Sequence, residues 1–211
     1  MTVRYPDSCL VQFAKAPILG RVKTRMQSAL GEAGCLKLHC ALVEHQFYLQ
    51  REALASNFEL WCSAEHNFFD QLIDGTDIPV RVQQGMDLGE RMHNVFVDRL
   101  RQYSHVIIVG SDCPSLDGEY VAEALDRLKQ GVPAVFGPAT DGGYVLIGLS
   151  HVNSALFDGV RWGSDQVMEQ TRERIKGLGW QWDELPALPD IDRPDDLQLL
   201  SHFKKLNNFL V

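Results

Sequence analysis

The chain has 211 residues, of which 45% are hydrophobic and 23% charged, and its formal net charge is −8. That is enough apolar material for one α/β domain with a stable core, and it excludes a disordered chain. The acidic balance argues against a nucleic-acid partner, which needs a basic face, but a local cluster of Arg and Lys can still hold a small anion.

The first predicted strand is Cys9-Leu10-Val11-Gln12-Phe13-Ala14, an apolar run. It feeds a loop, Lys15 to Arg25, that contains Pro17 and Gly20 and carries four cations in eleven residues: Lys15, Arg21, Lys23 and Arg25. A basic loop between a first strand and a helix reads as a phosphate site, where backbone N–H groups and Arg forks converge. It is neither a P-loop nor a GxGxxG. The spacing of Leu36, Cys40, Val43, Phe47 and Leu54 predicts a helix over roughly Gly31–Ala55. A second strand over 57–62, a short helix around 68–73 and a third strand over 80–83 follow.

The loop Gln84-Gly85-Met86-Asp87-Leu88-Gly89 opens a helix whose stripe is Leu88, Met92, Val95, Phe96 and Leu100. Asp87 can serve as its N-cap, or the loop can touch a nucleotide, with Gln84, Gly85, Leu88 and Gly89 as contacts. Val106-Ile107-Ile108-Val109 is an unbroken β-branched run that reads as a central strand covered on both faces. It stops at Gly110-Ser111-Asp112. Ligands of open α/β sheets bind beyond the carboxyl ends of the strands, so Asp112 is expected at the mouth of a site, with Gly110 and Ser111 beside it. Asp117 caps the helix that follows.

Another strand, 133–137, leads into Pro138-Ala139-Thr140-Asp141-Gly142-Gly143-Tyr144, and a further strand runs over 145–149. Seven residues exceed a two-residue hairpin turn, and paired glycines permit close approach to the backbone, so Asp141 is a candidate to hydrogen-bond an acceptor's hydroxyl groups. Ser164 is expected to cap the next helix, with Gly177 as its stop and a late strand over 180–182. Pro194 starts a last helix. Just before it, Asp190 and Asp192 alternate about Ile191, so both can face one side of an extended segment.

Five cysteines (9, 35, 40, 62 and 113) are scattered without a CxxC pair, which argues against zinc and against a disulfide framework. Cys113 has no His placed by sequence to activate it. With no apolar signal segment and no membrane-length apolar window, the expectation is one domain over 1–211, cytoplasmic, without a membrane segment. The oligomeric state is open.

Taken together, FAKAPILGRVKTR, QGMDLGERM, VGSDCPSL, GPATDGGYVLIGL and LPDIDRPDDL, which span about residues 10 to 200, resemble an uncharacterised bacterial family within the nucleotide-diphospho-sugar transferase (GT-A-like) superfamily. More distantly the chain is similar to 2-phospho-lactate guanylyltransferases and to the nucleotidyltransferases of molybdopterin cofactor assembly. The resemblance implies a three-layer, Rossmann-like GT-A fold with a mostly parallel central sheet and nucleotide bound over its N-terminal half. It implies Asp112 as a metal-binding aspartate, Asp190 or Asp192 as the second ligand of Mg²⁺ or Mn²⁺, and Ala14, Lys15, Pro17, Gly20, Arg21, Lys23 and Arg25 around the nucleotide phosphates. Gly142, Gly143, Tyr144 and Trp162 join Asp141 on the acceptor side. Arg193 stands where relatives carry Thr, which removes a hydroxyl cap. The activity implied is glycosyl transfer from a nucleotide-sugar to a small-molecule acceptor, with Asp112, Lys23 and Asp141 as catalytic residues. The alternatives are nucleotidyl transfer to a small phosphorylated acceptor and a non-catalytic nucleotide-binding domain.

Overall fold

A computed structural model describes residues 4–53 and 56–209. Seven strands form one mixed sheet: β1 (Tyr5–Ala14), β2 (Ser56–Cys62), β3 (Val80–Val82), β4 (His105–Val109), β5 (Ala134–Pro138), β6 (Tyr144–Leu149) and β7 (Trp182–Glu184), in the order β3-β2-β1-β4-β6-β5-β7. All the ladders are parallel except the two that β6 makes with β4 and β5. The architecture is the α/β class expected.

Strand alternation sorts the core into layers. Cys9, Val11, Val106 and Ile108 face α3 (Leu88–Arg99) and α5 (Val167–Gly177), meeting Val95, Phe96, Met168 and Ile175. Leu10, Ile107 and Val109 face α4 (Gly118–Lys129) through Val121, Leu125 and Leu128. Farther out on the sheet, Leu60 meets Val43 and Phe47 of α1 (Gln27–Ala53) and Phe69 of α2 (Asn67–Leu72). Helix α1 carries a break at Gly31, where φ is 65°.

Several boundaries differ from those expected, among them the start of α1 at Gln27 rather than Gly31. The first strand begins at Tyr5 rather than Cys9. The late strand is Trp182–Glu184, because its ladder to β5 pairs Ala134 with Trp182, while the Trp180 ring stands edge to face with His151. Helix α5 starts at Val167, so Ser164 is not its cap: its hydroxyl donates to the Arg161 carbonyl, and the Met168 N–H is taken by the carbonyl of Gly142. Leu54 and Ala55 of the predicted first helix lie outside the described residues.

After β7 the chain runs beside the exit of β5, with Ala139 bridged to Leu188, and then returns across α1. There Ile191, Leu197 and Leu200 join Cys35, Leu38, Leu42 and Met26 in one buried cluster. Met26 belongs to the end of the basic loop and Ile191 to the acidic segment, so the two are fixed to each other by a shared core. Burying a side chain of this size contributes about 1.5–3 kcal/mol. No helix of the described residues is long and apolar enough to cross a membrane.

Candidate functional site

Strands β1, β4, β5 and β7 point the same way, so their carboxyl ends share one rim. Four acidic or basic segments emerge there: Lys15–Arg25 after β1, Asp112 after β4, Asp141 after β5, and Asp190–Asp192 beyond β7. They line a cleft of two connected lobes, about 450 and about 420 Å³, within the range of small-molecule sites. Lys15, Lys23, Gly110, Asp112, Trp162 and Asp192 line both lobes.

Lys23 is the pivot. Its backbone is left-handed (φ 51°, ψ 37°), the one non-glycine residue with positive φ among those described. Such strain persists where surrounding contacts over-determine it, and it concentrates at functional sites. Its side chain is only 3% exposed; the ammonium lies 2.8 Å from Asp112 Oδ1 and donates to the carbonyl of Ile191. Asp112 is held in turn by its own carbonyl, which accepts the Ile191 N–H at 2.8 Å. Asp112 Oδ1 is buried and receives no well-aligned hydrogen bond, whereas the side chain as a whole is 45% open to the cleft. Burial pushes the Asp112 carboxyl up, but the Lys23 ammonium outweighs it and holds the group below the usual carboxylate range.

Two residues on, Arg25 pairs with Asp192 at 2.5 Å and donates to the Gly163 carbonyl at 3.1 Å. The Asp196 carboxylate accepts the N–H groups of Asp192 and Arg193, and the Asp196 N–H, which a hydroxyl at 193 would take, bonds to the Arg193 carbonyl at 3.0 Å. Asp190 forms no ion pair among the described residues. Burial, then the carboxylate of Asp141, then that of Asp112 push its carboxyl up to about 6. A carboxyl raised in the folded state costs nothing below its unfolded value, and stability is lost as pH rises through the folded value. Asp190→Asn is therefore expected to be more stable than the parent at pH 7.5, by about 1–2 kcal/mol after discounting for solvent screening, and equal to it near pH 4. Thermal melts of both proteins at the two pH values check this; an equal difference at both would refute it.

On the far side of the cleft, Tyr144 and Trp162 stand edge to face with ring centroids 6.4 Å apart. Trp162 rests on Gly89, where a Cβ would come within 2.7 Å of the indole. Gly142 (φ 95°) allows its loop to pass the Asp165 carbonyl, from which an added Cβ would stand 2.0 Å away.

Of the residues singled out by sequence, Ala14, Lys15, Arg21, Lys23, Arg25, Leu88, Gly110, Ser111, Asp112, Asp141, Gly143, Tyr144, Trp162, Asp190 and Asp192 line the cleft. Pro17, Gly20, Gln84, Gly85, Gly89 and Gly142 do not. The last two serve protein packing, and the carbonyls of Gln84 and Gly85 are taken by Asn94 and Arg91. Asp87 caps α3 by accepting the Glu90 N–H. Burial pushes the Cys113 thiol up to about 11, which leaves no thiolate at neutral pH. Sequence reasoning missed His39 and Arg91, which line the second lobe. His39, a polar residue inside an apolar helix face, donates from Nε2 to the Lys15 carbonyl at 2.9 Å, and burial pushes its pKa below the usual imidazole value.

Residues 49–164 match the family described as an uncharacterized protein conserved in bacteria (DUF2064). The chain belongs to that family. It is also similar to a solved structure from Desulfovibrio desulfuricans G20, described as a nucleotide-diphospho-sugar transferase. The two are 31% identical over 94% of this chain and 88% of that one, with a TM-score of 0.85. Two distant likenesses concern the fold alone. One is CMP:2-keto-3-deoxy-manno-octonic acid synthetase complexed with CTP, at 10% identity, 93% and 97% coverage and a TM-score of 0.59. The other is a Mycobacterium tuberculosis H37Rv protein in complex with manganese, at 15% identity, 93% and 98% coverage and a TM-score of 0.51. No curated protein matches the chain. The DUF2064 chain thus carries the nucleotide-diphospho-sugar transferase fold, which it shares with cytidylyltransferases.

Proposed function

We propose that this DUF2064 member transfers a sugar from a nucleotide-sugar to a small hydroxyl-bearing acceptor. The observation that carries the reading is the meeting of the basic loop with Asp112, Asp141 and Asp190 in one cleft at the rim where the parallel strands end. Lys15 and Arg21 have no carboxylate partner among the described residues, so their two charges match the double charge of a diphosphate ester. Lys23 and Arg25 stand beside them. Cations fixed in place before the reaction stabilise charge that grows on a departing diphosphate. Asp141 Oδ1 already accepts the Gly143 N–H at 3.0 Å, which orients the carboxylate; its other oxygen is the acceptor for a substrate hydroxyl. Tyr144 and Trp162 offer apolar ring surface to a sugar.

Among the described residues no three acidic, His or Cys side chains stand close enough to hold a metal as they are. The donor set nevertheless suits a hard cation: the oxygens are carboxylate, the Asp112 Oδ1 lacks a well-aligned donor, and Asp190 feels two like charges. Asp112 and Asp190 would hold Mg²⁺ or Mn²⁺, with Asp190 preferred to Asp192 because Arg25 already neutralises the latter. When bound, the ion would supply further neutralisation of the diphosphate.

Calorimetric titration with nucleotide-sugars, nucleoside diphosphates and triphosphates, with and without Mn²⁺, tests the reading. Tightest binding of a nucleotide-sugar, and its consumption with release of nucleoside diphosphate when an acceptor is added, is the expected result. Pyrophosphate release from a triphosphate with a phosphorylated acceptor overturns it in favour of nucleotidyl transfer. Binding without turnover across a broad acceptor set overturns it in favour of a non-catalytic domain.

A further inference from the structure

Two cations of the basic loop reach across the cleft and pair with two carboxylates of the opposite wall: Lys23 with Asp112 and Arg25 with Asp192. The Lys23 ammonium sits between Asp112 Oδ1 and the Ile191 carbonyl, two oxygens from different segments, which is the environment a small hard cation takes. In the protein without ligands, the oxygen that a metal needs and the ammonium that a phosphate needs thus occupy each other.

From this arrangement we infer that phosphate and metal binding are coupled by ion exchange at Asp112: nucleotide phosphates draw Lys23 away from its carboxylate, which is then free to hold the metal. This rests on the metal and nucleotide reading above. Three features make the exchange feasible. The Lys23–Asp112 contact is not a well-aligned hydrogen bond, so little directional bonding is lost when it opens. The Lys23 backbone is strained, so movement out of the left-handed region releases strain rather than adding it. The cleft side of Asp112 is already open, so metal can approach the second oxygen before the ammonium leaves. Asp141 and Asp190, which have no cationic partner among the described residues, add to the pull on the ion. Coupling between two ligands is reciprocal, so nucleotide tightens metal by the same factor that metal tightens nucleotide.

Direct contact between a metal and a phosphate also gives cooperativity. The discriminating measurement is therefore Mn²⁺ affinity with no nucleotide present, followed by electron paramagnetic resonance of free Mn²⁺. Lys23→Met should bind Mn²⁺ alone on the order of tenfold more tightly than the parent, within the usual range of coupling between sites. Lys15→Met, which removes a cleft cation that pairs with no carboxylate, sets the through-space effect and should change Mn²⁺ affinity by no more than about twofold, since a charge pair at longer range is screened. Should Lys23→Met fold poorly, Lys23→Gly removes the same charge and suits a φ of 51°. Circular dichroism checks the fold of each.

Equal Mn²⁺ affinity for the Lys23 and Lys15 variants overturns the exchange. The underlying reading then still stands, provided that Asp112→Asn abolishes Mn²⁺ binding in the presence of nucleoside diphosphate. If the parent binds no Mn²⁺ even with nucleoside diphosphate, the metal reading fails, and the exchange with it.

Discussion

Asparagine at position 112 is expected to lower transfer turnover by a factor on the order of 10²–10³ or more, the loss that follows removal of a single fixed charge-stabilising group. The side chain keeps its size, so the pocket changes little in shape. What changes is charge: the Lys23 ammonium, 3% exposed, loses its counter-ion and faces only neutral oxygens, the Ile191 carbonyl among them. Leaving the nearly buried Lys23 ammonium without its counter-ion also destabilises the fold, by about 1–3 kcal/mol. Turnover is therefore compared well below the melting temperature of the variant, after a circular-dichroism check. Near-parental turnover would remove Asp112 from the chemistry and with it the metal assignment.

Alanine at Gly142 is expected to be the most damaging change of a single small side chain near the cleft. A φ of 95° lies outside what an alanine adopts readily, and the new Cβ would stand 2.0 Å from the Asp165 carbonyl oxygen, a backbone atom that cannot swing aside. The loop must shift, and the Gly142 carbonyl then no longer meets the first turn of α5 at Met168. The combined effect is about 3 kcal/mol or more, or a fall in melting temperature of roughly 6–12 °C for a chain of this size. Because Asp141 rides on the same loop, turnover should fall further than the loss of folded protein explains. Gly143→Ala is the control: a Cβ there has only the Asp141 carboxylate oxygen, at 3.3 Å, as a close neighbour. If both variants melt alike, the steric account is wrong.

The strands that carry the site were legible because each is a short apolar run ended by glycine, proline or a polar residue, and the placing of Asp112 followed from that. The shared rim was legible as well, once parallel strands were expected. The details of α1 were not. Its buried face includes His39, Gln46 and Gln50, because the helix is covered by the sheet on one side and by the segment carrying Ile191 on another. Gln46 and Gln50 both donate to the Leu116 carbonyl, which offsets part of the cost of burying them, and a purely apolar pattern does not register such residues. The left-handed backbone of Lys23 left no trace in the residue type, since glycine or asparagine would be the usual occupant. The choice between Asp190 and Asp192 turned on which one Arg25 reaches, a contact between residues 167 apart that no local pattern encodes.

The segment of the cleft that carries Asp190 and Asp192 follows all seven strands in the chain. A premature stop shortly after Glu184 would spare the residues of every strand while deleting Asp190, Asp192 and the Ile191, Leu197 and Leu200 side chains that cover α1. Such a truncated product would have only half a binding surface, and it would uncover Cys35, Leu38 and Leu42, at a cost of about 1.5–3 kcal/mol for each large apolar side chain exposed. Genetic lesions late in its reading frame are thus expected to behave as complete losses of function although they remove no strand.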